Sequence, residues 1–189
     1  MTDASPPHKR RVRYQGTHPR QFADKYKELD PALHGAEIEK VMARGQTPAG
    51  THRPICVQEI LAILKPQPGE TALDATLGYG GHAREILPHL LPGGRLFGLD
   101  VDPIELPRTE ARLHKLGFDA PALQVRRINF SQAATLLPEV PGGFDLVLAD
   151  LGVSSMQIDN PARGFGFKID GPLDLRLDPG AGQSACELL

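Results

Sequence analysis

Cysteine is nearly absent from this 189-residue chain, and the two that occur, Cys56 and Cys186, match no metal or redox spacing. They are expected to be ordinary reduced thiols. The seven histidines do not cluster with ligand spacing, so no metal site is expected. No apolar run approaches the ~18 residues that would suggest a membrane span. Residues 1–20 are polar and basic with no apolar h-region, which points away from secretion and toward the cytoplasm. Internal repeats and low-complexity segments are also missing. What remains is an ordinary soluble composition, 40% apolar and 23% charged, long enough for one domain with a real core and an appended arm.

The net charge of −2 hides an asymmetry. Residues 1–50 carry nine Lys/Arg against six Asp/Glu, and residues 51–189 carry twelve against seventeen. The basic excess sits in Lys9, Arg10, Arg11, Arg13 and Arg20, with no acid between His8 and Phe22. Such a run can neutralise phosphates and bind nucleic acid in a salt-dependent way. A solvated tail is the plainer reading of the same residues.

Phe22, Tyr26 and Leu29, then Ile38, Val41 and Met42, recur at helical spacing in the arm. The turn-rich stretch 45–50 marks the boundary between an N-terminal extension, 1–50, and a domain, 51–189. The domain alternates: a helix over 57–64, a strand over 71–76, a helix over 82–90, a strand over 95–100 and a helix from Pro103 to Leu116. A third strand over 123–129, a short helix over 131–137 capped by Ser131, and a fourth strand over 144–151 follow. The fourth is apolar enough to expect burial on both faces. Such alternation implies a parallel α/β sheet with right-handed crossovers. Residues 152–183, rich in Gly, Pro and Asp, carry no clear element, and a loop that long is usually functional or disordered.

The strongest local signal is Asp74-Ala-Thr-Leu-Gly78-Tyr-Gly80-Gly81-His82, a strand running through glycines into a helix. Glycines let a backbone approach a ligand, and a helix N-terminus presents unpaired amides. Eighteen residues on, the second strand ends at Asp100, where an acid can accept hydrogen bonds from ribose hydroxyls. Gly78, Gly80 and Ala83 also satisfy G-x-G-x-x-A, so a nicotinamide or flavin dinucleotide, and with it an oxidoreductase, is the rival. A carboxylate at Asp74 would repel a pyrophosphate and attract the ammonium group of S-adenosylmethionine, which favours the latter. Plain helix packing is the bland alternative for the loop.

The fourth strand runs into Asp150-Leu-Gly-Val-Ser154-Ser155-Met-Gln157, at the strand ends where such sheets bind ligands. Beyond it lie Arg163, Phe165, Phe167, Asp170, Asp174, Arg176 and Asp178. These could cover a cofactor or grip a nucleotide. Equally, they could be a loop stitched by Arg–Asp pairs around Phe165 and Phe167.

On these residues the chain resembles the 16S ribosomal RNA cytosine N4-methyltransferase family, from about Thr51 to Leu189. The matching stretches are His52-Arg-Pro-Ile-Cys-Val-Gln-Glu59, Asp74 to His82, Gly98 to Pro103, Asn129-Phe-Ser131 and Asp150 to Asp178. The resemblance implies a Rossmann-like class I methyltransferase sheet, here in the incomplete order 3-2-1-4, with the basic arm outside the resemblance. It implies methyl transfer from S-adenosylmethionine to the exocyclic amine of a cytidine in small-subunit rRNA, free or in a subunit particle. Asp74, Gly78, Gly80, Gly81, His82, Asp100, Phe130, Asp150 and Gln157 would then bind the cofactor, Asp100 at the ribose and Phe130 at the adenine. Asp150 is the catalytic candidate. Ser154, Ser155, Arg163, Phe165, Phe167, Asp170, Asp174 and Arg176 would face RNA, with Arg163 and Arg176 on flanking phosphates and a phenylalanine receiving the target base. A non-catalytic RNA-binding descendant of such an enzyme is the second reading.

Overall fold

The computed structural model describes residues 54–168 and 170–189. The two helical patterns expected in the arm, and the boundary at 45–50, lie outside the described residues.

The order is α1 (Val57–Leu64), β1 (Thr71–Asp74), α2 (Gly81–Leu90), β2 (Arg95–Leu99), α3 (Glu105–Lys115), β3 (Leu123–Arg126), a 3-10 run (Phe130–Glu139), β4 (Leu146–Leu148), α4 (Ser155–Asp159), a 3-10 turn (Pro161–Arg163) and α5 (Ala185–Leu188). The four strands form one sheet, β3-β2-β1-β4, with every neighbouring pair parallel. Leu73 pairs with Phe97 across β1–β2 and with Val147 across β1–β4.

Alternation along the strands creates two cores, because successive side chains point to opposite faces. Ala72 and Leu96 meet Ala83, Ile86, Leu87 and Leu90 of α2, and Leu106 and Leu113 of α3. On the other face Leu73, Phe97 and Leu99 meet Leu136 and Val140 from the 3-10 run and its end. Phe144 sets its ring edge-on to Phe97, centroids 5.7 Å apart.

Three expectations change. Each strand is shorter than its apolar run: β1, β2 and β3 stop early at their carboxyl ends, and β4 is trimmed at both ends. The run after β3 is 3-10 rather than α, and its cap is Asn129, whose side chain accepts the Ser131 amide. Pro138 inside it lacks the N–H an α-helix would use there. Lastly, β4 is not buried on both faces: Val147 is 55% exposed. Val147 lies on the Leu73 face, where the 3-10 run covers β1 and β2, and β4 has β1 as its single sheet neighbour.

Candidate cofactor site at the strand ends

The carboxyl ends of the strands open into a cavity of about 350 Å³. It is lined by Gly78, Tyr79, Gly81 and His82 after β1, by Asp100, Asp102 and Glu105 after β2, by Ile128 and Phe130 after β3, and by Asp150 to Ser154 with Gln157 after β4.

The glycine loop is held from both sides. Gly78 donates its amide to Asp100 Oδ2 at 2.8 Å, and the Thr109 hydroxyl of α3 donates to Gly78 O at 2.6 Å. Gly78 has φ 49°, in the left-handed region that glycine adopts without a Cβ clash. Gly80 has a different reason. A Cβ there would come within 2.9 Å of the Thr109 side chain, so this glycine lets the loop pack on α3. Its neighbours Tyr79 and Gly81 line the cavity.

Asp74 lies deeper. It is 2% exposed and lies behind the cavity wall rather than on it. Its Oδ1 accepts the Thr76 amide at 3.2 Å, while Oδ2 has no hydrogen-bond partner among the described residues. Burial pushes its pKa up to about 7, and the carboxylates of Asp100 and Asp150 push the same way against the Thr76 amide. The acids that face the cavity are Asp100, Asp102, Glu105 and Asp150. They supply the cation-attracting field that Asp74 was expected to supply.

Asp150 stands at the mouth, its side chain 43% exposed, with Oδ2 3.4 Å from His82 Nε2. That approach is too poorly directed to count as a hydrogen bond, and Nε2 has no other partner among the described residues. The Asp150 amide donates to Thr76 Oγ1 at 2.7 Å, tying the end of β4 to that of β1. Phe130 lines the cavity with its ring half exposed.

The segment after β4 is stitched by arginine–carboxylate pairs. Arg163 donates to Asp102 Oδ2 at 2.8 Å, Arg176 to both oxygens of Asp174 at 2.6 and 2.8 Å, and Arg127 to Asp178 at 2.7 Å. Arg176 holds the Asp174 carboxyl down at about 2. Arg163 is buried and points inward, so it is not a solvent-facing phosphate contact as expected. Arg176 also donates to Gly182 O, and Asp174 is tied up by the same arginine. Ser154 caps α4, while Ser155, Phe167 and Asp170 lie on the surface. Phe165 is half-buried within 5.9 Å of the Arg163 guanidinium, and Phe167 is 95% exposed, so the two rings form no common core.

The sequence reading missed Tyr79 and Asp102 as site residues. Tyr79 lines the cavity beneath Arg112, whose guanidinium lies 5.4 Å from its ring, and burial pushes its hydroxyl up to about 12. Asp102 stands two residues past Asp100, before Pro103, a helix-opening signal that did not mark it as part of the cavity.

The sheet order, the glycine loop after β1 and the acid after β2 define a Rossmann-like parallel half-sheet. The MraW methylase family matches residues 49–189, and the chain belongs to that family. S-adenosylmethionine is that family's cofactor. The chain is 56% identical over 184 residues to ribosomal RNA small subunit methyltransferase H 1 of Lachnoclostridium phytofermentans, covering 97% of this chain and 50% of that protein. It is 57% identical over 180 residues to methyltransferase H 2 of Alkaliphilus metalliredigens, covering 95% of this chain and 51% of that protein. The chain thus spans about half the length of these relatives. Matches of this extent take in most of residues 1–50, which corrects the expectation that the arm falls outside the resemblance. Other relatives, such as methyltransferase H of Leptothrix cholodnii, match over 139 residues, 73% of this chain. Among solved structures, TrmN from Thermus thermophilus is 23% identical with a TM-score of 0.41, over 58% of this chain and 32% of that one.

No helix among the described residues is long and apolar enough to cross a membrane, and none of their His, Cys, Asp and Glu side chains group to hold a metal ion.

Proposed function

We propose that this chain forms the S-adenosylmethionine site of a cytoplasmic methyltransferase acting on the exocyclic N4 amine of a cytidine in small-subunit rRNA. One observation carries the reading: Asp150, two residues past β4, stands half-exposed on a cavity that Asp100 also lines.

The cavity's residues fit the cofactor. It has the size of small-molecule sites. Asp100 is an acceptor for ribose hydroxyls, Ile128 and Phe130 are an apolar surface for a purine, and the surrounding carboxylates suit a ligand with ammonium and sulfonium charges. Gly81 and His82 bring the start of α2 against it. When bound, the cofactor supplies an already activated methyl group, so the protein's task is alignment and exclusion of water.

The cytosine amine is a poor nucleophile, its lone pair being conjugated with the ring. Asp150 accepts one amine N–H, favours rehybridisation at nitrogen and stabilises the positive charge that develops there. His82, 3.4 Å away, sits where it restrains that carboxylate. The base must leave any stack to reach the strand ends, and the exposed ring of Phe167 offers it a surface. The basic run Lys9 to Arg20 adds phosphate contacts that hold the RNA.

The test is methyl transfer from labelled S-adenosylmethionine to small-subunit RNA or particles, followed by digestion to nucleosides. The proposal expects label in N4-methylcytidine and a rate reduced by about 100-fold or more in Asp150→Ala. Label in another nucleoside overturns the amine assignment. RNA binding without transfer favours the non-catalytic reading.

A further inference from the structure

Asp102 is 1% exposed, yet its carboxylate accepts four hydrogen bonds from two distant parts of the chain. Oδ1 takes the amides of Ile104 and Glu105, at 2.9 and 3.2 Å, at the start of α3. Oδ2 takes Gln157 Nε2 at 2.9 Å and Arg163 Nη1 at 2.8 Å, from residues 55 and 61 positions further along. Arg163 reaches on through Nη2 to Leu177 O at 2.7 Å. Gln157 Oε1 accepts the Ser154 amide at 2.9 Å. One carboxylate at the end of β2 therefore holds the segment after β4 at its beginning, middle and end.

The segment is also tied by Arg127, which meets Asp178 at 2.7 Å just past its end, and by the amides of Ala185 and Cys186 on Asp174 O and Leu173 O. α4 is five residues long, too short to be stable alone, and its Ile158 is 41% exposed. A cap for α3 needs only Oδ1. Oδ2, and the buried arginine it meets, serve the other side. A buried ion pair is a poor source of net stability compared with apolar packing, but it fixes geometry closely. Both halves of the tie line one cavity, Asp102 and Glu105 from the chain after β2, Ser154, Gln157 and Leu177 from the segment after β4. Burial alone would raise the Asp102 carboxyl, and the side chains of Gln157 and Arg163 with the two amides hold it below its ordinary range. The latch is thus charged throughout the neutral range.

We propose that Asp102 is a positioning residue that latches the segment from Ser154 to Leu177 against the end of β2 and so shapes the cofactor site. The inference rests on the cavity being that site. Gln157, expected from the resemblance to contact the cofactor, reaches it as part of this latch, its amide already engaged at both ends.

The discriminating variants move the carboxylate from one partner to the other. Asp102→Asn keeps an acceptor for the α3 amides but turns N–H groups toward the Gln157 and Arg163 donors. The double variant Asp102→Asn with Gln157→Glu restores a donor–acceptor match, with the carboxylate still able to take the Ser154 amide and pair with Arg163. Hydrogen–deuterium exchange on the unliganded 189-residue chain reads the latch. Calorimetry with S-adenosylhomocysteine reads its consequence. Asp102→Asn is expected to speed exchange over residues 155–178 and weaken binding, each by about tenfold or more, with α2 and β2 unchanged, and the double variant to recover both.

Unchanged exchange over 155–178, acceleration throughout the sheet, or a double variant no better than the single one overturns the latch. If Asp102→Asn does not fold, Gln157→Met leaves the Arg163 pair and the α3 cap in place. It is expected to speed exchange over 155–159, and no change there also overturns the proposal. If the unsubstituted chain does not bind S-adenosylhomocysteine, the cofactor reading fails, and exchange still decides the latch.

Discussion

Asp74 and Asp150 show how two acids of similar sequence context take different parts. Each stands at the carboxyl end of a strand of the same sheet. Asp74 turns inward beneath the glycine loop and is held near neutrality by burial, whereas Asp150 turns out to the mouth. A carboxyl whose folded pKa is raised binds more protons in the folded than in the unfolded state, so its presence lowers stability as pH rises. The loss begins near the ordinary value of 3.8 and is complete above about 7. Asp74→Asn, which keeps the acceptor for the Thr76 amide, is therefore expected to flatten the fall in stability across that window. At pH 8 it should gain on the order of a few kcal/mol over the unsubstituted protein, read from urea midpoints against pH. An unchanged pH slope would show that Oδ2 has a partner that keeps it charged. At Gly80 the expected effect is steric: Gly80→Ala meets Thr109 and Leu113 at a positive φ, so it should lower the melting temperature.

At the scale of elements, much was legible. Periodicity gives the helix over 57–64 as observed, and the glycine loop locates the start of α2 to within a residue. The parallel order follows from alternation with helices, and the Asp100 position from the spacing after the glycines. What periodicity does not carry is where a chain leaves a ladder. The Ala75 amide still bonds Leu148 O beyond the last residue of β1, but the residues after it turn to form the cavity wall. Asp102, Arg163 and Leu177 come together only through folding over 61 residues of separation, which no local pattern encodes. The inward aim of Arg163 was illegible for the same reason, since an arginine beside glycines and phenylalanines reads as exposed. α2 is the element on which the rest leans: Leu87 and Leu90 are fully buried against β1 and β2. Leu87→Ala is expected to cost about 2–5 kcal/mol in denaturant unfolding, through lost burial and the cavity it leaves.

For the whole molecule, the sheet and the arm make separate contributions. Some relatives match over nearly all of this chain, residues 1–50 largely included, whereas others match over about three-quarters of it. RNA affinity is expected to fall with salt, and neutralising Lys9, Arg10, Arg11 and Arg13 together should flatten that salt slope without changing cofactor affinity. Filter binding across a salt series checks it, and an unaltered slope assigns the contacts elsewhere.

The central claim is that the cavity at the strand ends holds S-adenosylmethionine, and calorimetric titration of the 189-residue chain tests it most directly. Saturable binding is predicted, weakened by about tenfold or more in Asp100→Ala, which loses the ribose acceptor and the anchor of the Gly78 amide together. Binding of NAD in its place, or S-adenosylmethionine affinity indifferent to Asp100, would contradict the account.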